Sequence, residues 1–194
     1  MIAIIDYGLG NISNITRAIQ HLGYDVILTC NDKDVQKAEA IVLPGVGHFQ
    51  DAMHSIEEKS IKDMLKNIHD KPVIGICLGM QLLFQHSAEG DVSGLELVPG
   101  NIVPIQSSHP IPHLGWNELK STHPLLQSDV YFVHSYQAEM SEYVVAYADY
   151  GTKIPGVIQY RNYIGIQFHP EKSGTYGLEI LNLSLIHISE PTRL

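Results

Sequence analysis

Short β-branched runs alternate with longer amphipathic segments in the first half of the chain. Apolar runs predict strands at residues 1–6, 25–29, 40–43 and 73–76. Apolar side chains at helical spacing predict a helix at residues 11–22. A short polar helix is predicted at residues 32–38, and further helices at 49–68 (as one helix or two) and 77 to about 84. Alternating strands and helices favour a parallel sheet, and strands that are apolar throughout are typical of a sheet covered on both faces.

The second half of the chain has fewer helical patterns and more turn residues. Further strands are predicted at residues 130–134, 143–148, 157–160 and 163–168. Because only turns separate them, we expect antiparallel additions to the sheet, followed by a closing helix at residues 175–183. No repeat or linker divides the chain, so one domain is predicted. Residues 184–194 continue no pattern and are left outside it.

Composition and charge narrow the functional classes. The 194 residues are 44% hydrophobic and 17% charged, which indicates a globular chain. The net charge of −9 would repel the phosphate backbone of nucleic acid. The longest apolar stretch, residues 72–84, is shorter than the ~20 residues that span a membrane. Two cysteines, Cys30 and Cys77, cannot form a disulfide framework, so we expect a soluble cytoplasmic protein.

The sharpest local motif lies between a predicted strand and a predicted helix. Residues 75–79 read Gly-Ile-Cys-Leu-Gly, the cysteine form of the nucleophile elbow. Glycines flank Cys77 because such a tight turn leaves no room for neighbouring Cβ atoms. The turn lifts the sulfur above the sheet, and the helix N-terminus behind it favours the thiolate. The alternative is an inert cysteine, since free cysteines are among the most buried residues.

A base for this cysteine follows the last predicted strand. His169 stands at the carboxyl end of that strand, where open α/β sheets place their chemistry. A cysteine nucleophile needs a base, and the base needs an orienting acceptor, for which Glu171 is the candidate. Pro170 between them restricts the backbone and so the relative aim of the two side chains. A lone histidine is usually not catalytic, but the elbow, histidine and carboxylate together favour a Cys–His–Glu triad.

A glycine-rich turn closes the third predicted strand. Residues 44–48 read Pro-Gly-Val-Gly-His. In hydrolases with a nucleophile elbow, two backbone N–H groups hold the oxyanion, and the candidates here belong to Leu78 and Val46. Such donors act on charge that exists only in the transition state. Taken alone, the segment would be an ordinary turn.

Two segments resemble cofactor or metal motifs but lack a feature that each motif requires. Residues 8–13 follow a strand, but Ser13 stands where the dinucleotide fingerprint needs its third glycine. His109 and His113 are four residues apart, but intervening prolines prevent the helix that would align them on a zinc ion. We therefore predict no cofactor and no metal.

The motifs together resemble those of class I (triad-type) glutamine amidotransferases. Pro-Gly-Val-Gly at 44–47, Gly-Ile-Cys-Leu-Gly-Met-Gln at 75–81 and Phe-His-Pro-Glu at 168–171 match that superfamily in order and spacing. Five segments are similar to the glutaminase subunits of imidazole glycerol phosphate synthase: Asp-Tyr-Gly-Leu-Gly-Asn at 6–11, Pro-Gly-Val-Gly-His-Phe at 44–49, His-Leu-Gly-Trp-Asn at 113–117, Tyr-Phe-Val-His-Ser-Tyr at 131–136 and His-Pro-Glu-Lys-Ser at 169–173.

The resemblance covers residues 1–183 and implies one glutaminase domain. Its fold would be the three-layer class I glutamine amidotransferase fold, with a central, mostly parallel sheet, helices on both faces and antiparallel additions in the C-terminal half. Its activity would be hydrolysis of L-glutamine through a cysteinyl thioester. Cys77 would be the nucleophile, His169 the base and acid, and Glu171 its orienter. The residues implied to hold glutamine are Gly47, Gln81, Ser135 and Tyr136.

The resemblance also implies a partner. The ammonia would pass to a (β/α)8-barrel cyclase subunit that makes imidazole glycerol phosphate in histidine biosynthesis, and the two subunits would form a heterodimer. The residues implied at the interface are Asn11, Trp116, Asn117 and Lys172.

Two alternatives stay open at this stage. The glutaminase of another pathway, such as that of pyridoxal phosphate synthase, is disfavoured by the Pro-Gly-Val-Gly and His-Leu-Gly-Trp-Asn segments. A catalytically silent binding subunit that keeps only the fold is disfavoured by the intact Cys77, His169 and Glu171.

Overall fold

The first half of the chain forms strands and helices in strict alternation. The computed structural model describes residues 1–186. The strands are β1 (Ile2–Ile5), β2 (Val26–Thr29), β3 (Ala40–Leu43) and β4 (Val73–Ile76). The helices are α1 (Ile12–His21), α2 (Asp32–Lys37), α3 (Phe49–Glu58), α4 (Ile61–Lys66) and α5 (Leu78–Leu82). All the elements predicted here are confirmed, and the segment at 49–68 forms two helices because Ser60 adopts a left-handed conformation (φ 56°).

The second half is mainly β-structure. Its strands are β5 (His86–Ser87), β6 (Val92–Ser93), β7 (Asn101–Pro104), β8 (His113–Lys120), β9 (Asp129–His134), β10 (Tyr136–Ala138), β11 (Val144–Asp149), β12 (Lys153–Tyr160) and β13 (Tyr163–Ile166). Short 3₁₀ turns lie at Pro124–Leu126 and Pro170–Lys172, and α6 (Gly174–Ile186) closes the fold. The four strands predicted in this half correspond to β9, β11, β12 and β13, whereas β5 to β8 and β10 were not predicted.

A nine-stranded sheet runs through the molecule in the order β2-β1-β3-β4-β13-β12-β11-β8-β9. The strands from β2 to β13 pair in parallel, and those from β13 to β9 pair antiparallel. A second, four-stranded sheet has the order β10-β7-β5-β6. The predicted class, a parallel α/β sheet with antiparallel additions in the C-terminal half, is confirmed.

Helices cover both faces of the parallel strands, and strand side chains alternate between two apolar cores. Ala3 and Ile5 of β1 face the core that contains α3, α4 and α5. Ile2 and Ile4 face the opposite core, which contains α1 and α6. This explains why the strands are apolar at every position instead of at alternate ones.

The closing helix is longer than predicted. It continues past residue 183 to Ile186, with Leu185 buried and the Ser184 hydroxyl donating to the carbonyl of Ile180 at 2.9 Å. Residues 184–186 therefore belong to the packed helix. The rest of the predicted tail, residues 187–194, lies outside the described residues. None of the described helices is long and apolar enough to cross a membrane.

The sheet brings three loops together at one edge. β4 lies between β3 and β13, and all three are parallel, so their carboxyl ends meet at the same edge. Ile76 is paired with Ile166, and the N–H of Cys77 donates to the Ile166 carbonyl at 2.7 Å. Residues 44–48, Cys77 and the segment after Ile166 therefore leave the sheet side by side.

Candidate active site

Cys77 stands on a strained turn between β4 and α5. Its backbone has φ 53° and ψ −113°, outside the regions that side-chain-bearing residues favour. The two flanking glycines permit this turn: a Cβ on Gly75 would lie 2.5 Å from the Gly79 carbonyl oxygen, and one on Gly79 would overlap the Leu43 carbonyl. Strain of this kind persists only where the surrounding fold enforces it. The geometry is that of the predicted nucleophile elbow.

His169 links Cys77 to Glu171 in a buried triad. Its Nδ1 lies 2.8 Å from Glu171 Oε1, and its ring lines the same cavity as Cys77. The His169 and Glu171 side chains are about 5% and 4% exposed. Burial lowers the pKa of His169, but the hydrogen bonds and charges of Cys77 and Glu171 outweigh it and raise the pKa to about 9. The arrangement thus favours an imidazolium beside the sulfur.

A buried glutamine, to which the sequence assigned no role, also contacts the nucleophile. Gln167 is fully buried, and its Nε2 lies 4.0 Å from Cys77 Sγ. Its Oε1 accepts a hydrogen bond from Gln81 Nε2 at 3.0 Å. Gln167 lies two residues before His169 in the same motif, and that position was the only available signal of its role.

A cavity of about 380 Å³ opens above Cys77, large enough for a small amino acid. The predicted site residues that line it are Val46, Gly47, Cys77, Leu78, Gln81, Ser135, Tyr136 and His169. Glu171 does not line the cavity and lies behind His169. The lining residues that the sequence did not single out are Glu89, Pro112, Val133 and His134.

Glu89 supplies the only carboxylate among the residues that line this cavity. Its Oε2 accepts the N–H of Phe49 at 3.0 Å, and this bond ties it to the first turn of α3. It lies in the turn after β5, a strand too short to be visible in the sequence, so no pattern connected it with Cys77. A fixed carboxylate in a small cavity attracts an ammonium group.

The predicted oxyanion loop packs directly on the elbow. Tyr7 is fully buried and donates from Oη to the Pro44 carbonyl at 2.8 Å. Burial and the charge of Cys77 raise the pKa of Tyr7 well above its usual range, so its hydroxyl keeps its proton. A Cβ on Gly45 would lie 2.7 Å from the Gly79 nitrogen. The loop that carries Val46 is therefore in contact with the turn that carries Cys77.

The predicted interface residues do not all lie together. Trp116 is 58% exposed and packs edge-on against Tyr131, with ring centroids 6.0 Å apart. Lys172 Nζ lies 5.9 Å from the centroid of the same Tyr131 ring. Asn117, next to Trp116 on β8, instead donates to the Asp149 carbonyl at 3.0 Å. Asn11 precedes α1 in the loop after β1.

Comparison with known proteins shows the family of the chain. The model of the family described as "Glutamine amidotransferase class-I" matches residues 3–188. The chain belongs to this family. It is 98% identical over 185 residues to the imidazole glycerol phosphate synthase subunit HisH of Staphylococcus epidermidis, a match that covers 95% of this chain and 96% of that protein. The HisH subunit of Staphylococcus saprophyticus is 65% identical over 185 residues, or 95% of this chain and 93% of that protein. The predicted resemblance to these subunits is confirmed.

Solved structures share the amidotransferase fold at low sequence identity. A crystal structure of a glutamine amidotransferase superposes with a TM-score of 0.78 at 16% identity, covering 96% of this chain and 98% of that one. PurLQS from Thermotoga maritima gives a TM-score of 0.69 at 17% identity, with coverage of 96% and 98%. These similarities confirm the fold of this amidotransferase.

Proposed function

We propose that this chain hydrolyses L-glutamine to glutamate and ammonia and supplies the ammonia to the cyclase subunit of imidazole glycerol phosphate synthase in histidine biosynthesis. The observation that carries the proposal is the buried Cys77–His169–Glu171 triad at a small cavity. A chain that is 98% identical to a HisH subunit supports the assignment to this pathway.

The first half of the reaction forms a thioester. The Cys77 sulfur attacks the carboxamide carbon of glutamine, and a tetrahedral oxyanion results. The backbone N–H groups of Leu78 and Val46 are the proposed donors to that oxyanion. His169 then gives its proton to the leaving nitrogen, the C–N bond breaks, and ammonia departs from a γ-glutamyl thioester.

The second half releases glutamate. A water molecule attacks the thioester carbon while His169 takes one of its protons, and a second oxyanion forms at the same donors. The C–S bond breaks, glutamate leaves, and the sulfur and His169 return to their initial state. Glu171 keeps the imidazole aimed at the sulfur throughout and stabilises its charged form.

The lining of the cavity supports an α-amino acid as substrate. Glu89 is placed to bind the α-ammonium group by an ion pair. Gly47, Ser135 and Tyr136 are proposed to hold the rest of the amino-acid backbone of glutamine. Gln81 is proposed to bind a donor group of the substrate. Glutamate carries a carboxylate in place of the carboxamide and has no ammonia to release, so it would be a product and not a substrate.

An exposed apolar strip on β8 supports a protein partner beside the site. Leu114 is 60% and Trp116 is 58% exposed, and both lie on the same face of the strand. Lys172 contributes a positive charge next to Trp116 through their common neighbour Tyr131. An apolar patch with a charged rim is typical of a protein interface. We propose that the (β/α)8-barrel cyclase binds here, in the cytoplasm.

Glutamate release in the presence of the cyclase subunit tests the proposal. We expect the wild-type complex to hydrolyse glutamine, Cys77→Ala to be inactive and Cys30→Ala to match the wild type. The two variants remove the same atoms from the same residue type, so the comparison separates the nucleophile from general cysteine chemistry. Hydrolysis by Cys77→Ala, or none by the wild type, would refute the function.

A further inference from the structure

Two buried histidines that take no part in the proposed chemistry lie beside the cavity. His113 is 2% exposed and His134 is 7% exposed, and His113 Nδ1 is 3.1 Å from His134 Nε2. The His113 ring is stacked between Phe132 and Tyr150, with ring centroids 4.5 Å and 4.1 Å away. The His113 ring is thus held in place by two aromatic neighbours, and His134 lines the cavity.

The contact of His134 with a backbone carbonyl determines which ring nitrogens of the two histidines carry protons. His134 Nδ1 is 2.8 Å from the carbonyl oxygen of Tyr136, which can only accept a hydrogen bond. His134 therefore carries its proton on Nδ1, and in a neutral ring its Nε2 is an acceptor. It follows that His113 donates from Nδ1 to His134.

The contact of His113 with Asn117 independently gives the same direction for the hydrogen bond between the two histidines. Asn117 Nδ2 donates to the Asp149 carbonyl at 3.0 Å and lies 3.2 Å from His113 Nε2. His113 Nε2 is therefore an acceptor, which again puts its proton on Nδ1. A proton added to either ring would bring two N–H groups face to face. Burial lowers the pKa of His113 to about 4 and that of His134 to about 3, in agreement with two neutral rings.

The chain of hydrogen bonds continues from Tyr136 to the nucleophile. Gln81 Nε2 donates one proton to the Tyr136 carbonyl at 2.9 Å and the other to Gln167 Oε1 at 3.0 Å. Gln167 Nε2 in turn lies 4.0 Å from Cys77 Sγ. Because both amide protons of Gln81 are engaged within the protein, only its Oε1 is left to meet a ligand. Gln81 therefore offers an acceptor to the cavity, which suits an ammonium or carboxamide donor.

We propose that His113 and His134 are positioning residues for glutamine hydrolysis, two Nδ1–H imidazoles that hold the Tyr136 carbonyl and, through it, the Gln81 amide in the orientation that receives a substrate donor. The role rests on the proposed function. The same series of polar contacts connects Asn117, at the predicted partner surface, with the cavity and with Cys77.

Ring-nitrogen NMR tests the direction of the chain without reference to activity. Long-range ¹H–¹⁵N correlation spectra of the full chain, with the two residues assigned by single substitution, report tautomer and charge. We expect both rings to be neutral Nδ1–H tautomers from pH 6 to 8, whereas an unconstrained imidazole favours Nε2–H. An Nε2–H tautomer at His134, or a protonated ring in that range, would overturn the proposal.

Kinetics of the complex with the cyclase subunit test the positioning role. In His134→Phe the Tyr136 carbonyl loses a donor, and we expect KM for glutamine to rise about tenfold while kcat changes by less than about threefold. His134→Asn places an amide N–H near the position of Nδ1, so it should restore KM to within about threefold of the wild type. The exposed His69→Asn is the matched control and should change neither constant.

Asn117→Asp provides a second test on a half-buried side chain, where folding is less at risk. A carboxylate cannot donate to the Asp149 carbonyl or to His113 Nε2, so His113 must reverse its tautomer or become charged. We expect the NMR signature of His113 to change and KM to rise. An unchanged KM in both His134→Phe and Asn117→Asp, with native thermal unfolding, would refute the role. Failure of the proposed function would look different, because the wild-type complex itself would then release no glutamate.

Discussion

His169 Nδ1 lies 2.8 Å from Glu171 Oε1, although only Pro170 separates the two residues. The 3₁₀ turn at Pro170–Lys172 folds the carboxylate back onto the ring. Ser173 also holds this segment in place, because its hydroxyl donates to the His169 carbonyl at 2.6 Å and accepts the N–H of Tyr131 at 3.0 Å. The orientation of the base is therefore set within one turn of chain and fastened to β9.

The first prediction concerns the pH dependence of glutamine hydrolysis. Burial lowers the pKa of His169, but Cys77 and Glu171 raise it to about 9. A neutral His169 cannot protonate the leaving nitrogen, so kcat/KM should fall as the pH rises through about 9. Glu171→Gln removes one of the charges that raise this pKa and should move the alkaline limb to lower pH. pH–rate profiles of both proteins check this, and an unmoved limb would contradict it.

Glu171→Ala should also be milder than Cys77→Ala. Removing the orienter leaves the nucleophile and the oxyanion donors in place, whereas removing the sulfur ends covalent catalysis. Glutamate release by the two variants in the same complex measures the difference. Equal losses would mean that Glu171 does more than orient His169.

The third prediction concerns selective alkylation. β2 is the edge strand of the sheet, and Cys30, which follows it, is exposed. A general alkylating agent should therefore modify Cys30 readily. A glutamine-shaped alkylating agent should modify Cys77 instead, because it binds the cavity before it reacts, and free glutamine should protect. Peptide mapping decides, and labelling of Cys77 without protection by glutamine would contradict the assignment.

The fourth prediction is that ammonium bypasses the nucleophile. Cys77→Ala should abolish glutamine-dependent synthesis in the complex with the cyclase but leave ammonium-dependent synthesis close to the wild-type rate. The sulfur is needed only to release ammonia, so an external supply replaces that step. Product formation with each nitrogen source makes the test. Loss of both activities would assign Cys77 a structural role.

The two parts of the triad, the elbow with Cys77 and the pair of His169 with Glu171, could be predicted because each is local in sequence. The Gly75–Gly79 elbow carries its own geometric requirement in two glycines, and Glu171 orients a histidine two residues away. The parallel alternation of β1 to β4 was equally visible, since strands buried on both faces are apolar throughout. Each of these features is written within a few consecutive residues.

The rest depends on contacts between distant segments. Gln81 donates a hydrogen bond to the Tyr136 carbonyl, 55 residues away in sequence, and no periodicity predicts such a pair. β8 was missed because its apolar residues Leu114 and Trp116 face outward and its inward face begins with His113. That inverted pattern arises where a strand exposes apolar side chains on one face and carries a polar network on the other.

A route from the proposed interface to the base exists in the described structure. Trp116 and Lys172 both contact the Tyr131 ring, and the Tyr131 carbonyl accepts the N–H of His169 at 2.9 Å. A partner that displaces this ring would therefore act on the strand that fastens His169. The prediction that follows is that partner binding changes the rate of glutamine hydrolysis and not only the fate of ammonia.

The last prediction is that the isolated chain hydrolyses glutamine slowly and is accelerated by the cyclase with its ligand bound. Ammonia released without an acceptor is wasted, so an off state is useful, and one missing oxyanion donor would lower the rate by about 10²–10³-fold. The peptide that carries the Val46 N–H is the proposed switch, since Gly45 and Gly47 flank it. Glutamate release by the chain alone, with the cyclase, and with cyclase plus ligand measures the effect; full activity of the chain alone would contradict it.

Gly47→Ala is the variant that isolates this switch. A Cβ at position 45 would lie 2.7 Å from the Gly79 nitrogen, so any substitution of Gly45 would disturb the elbow itself. Gly47 has φ +104° and no atom within 4 Å of an added Cβ, so alanine there strains the loop backbone without a clash with the elbow. Because Gly47 is also proposed to hold glutamine, the rates are compared at saturating glutamine. If the loop must change conformation on activation, Gly47→Ala should change the ratio of the stimulated rate to the basal rate. Equal depression of both would show that the loop has one conformation throughout, and the activation would then have to act through Tyr131 and His169.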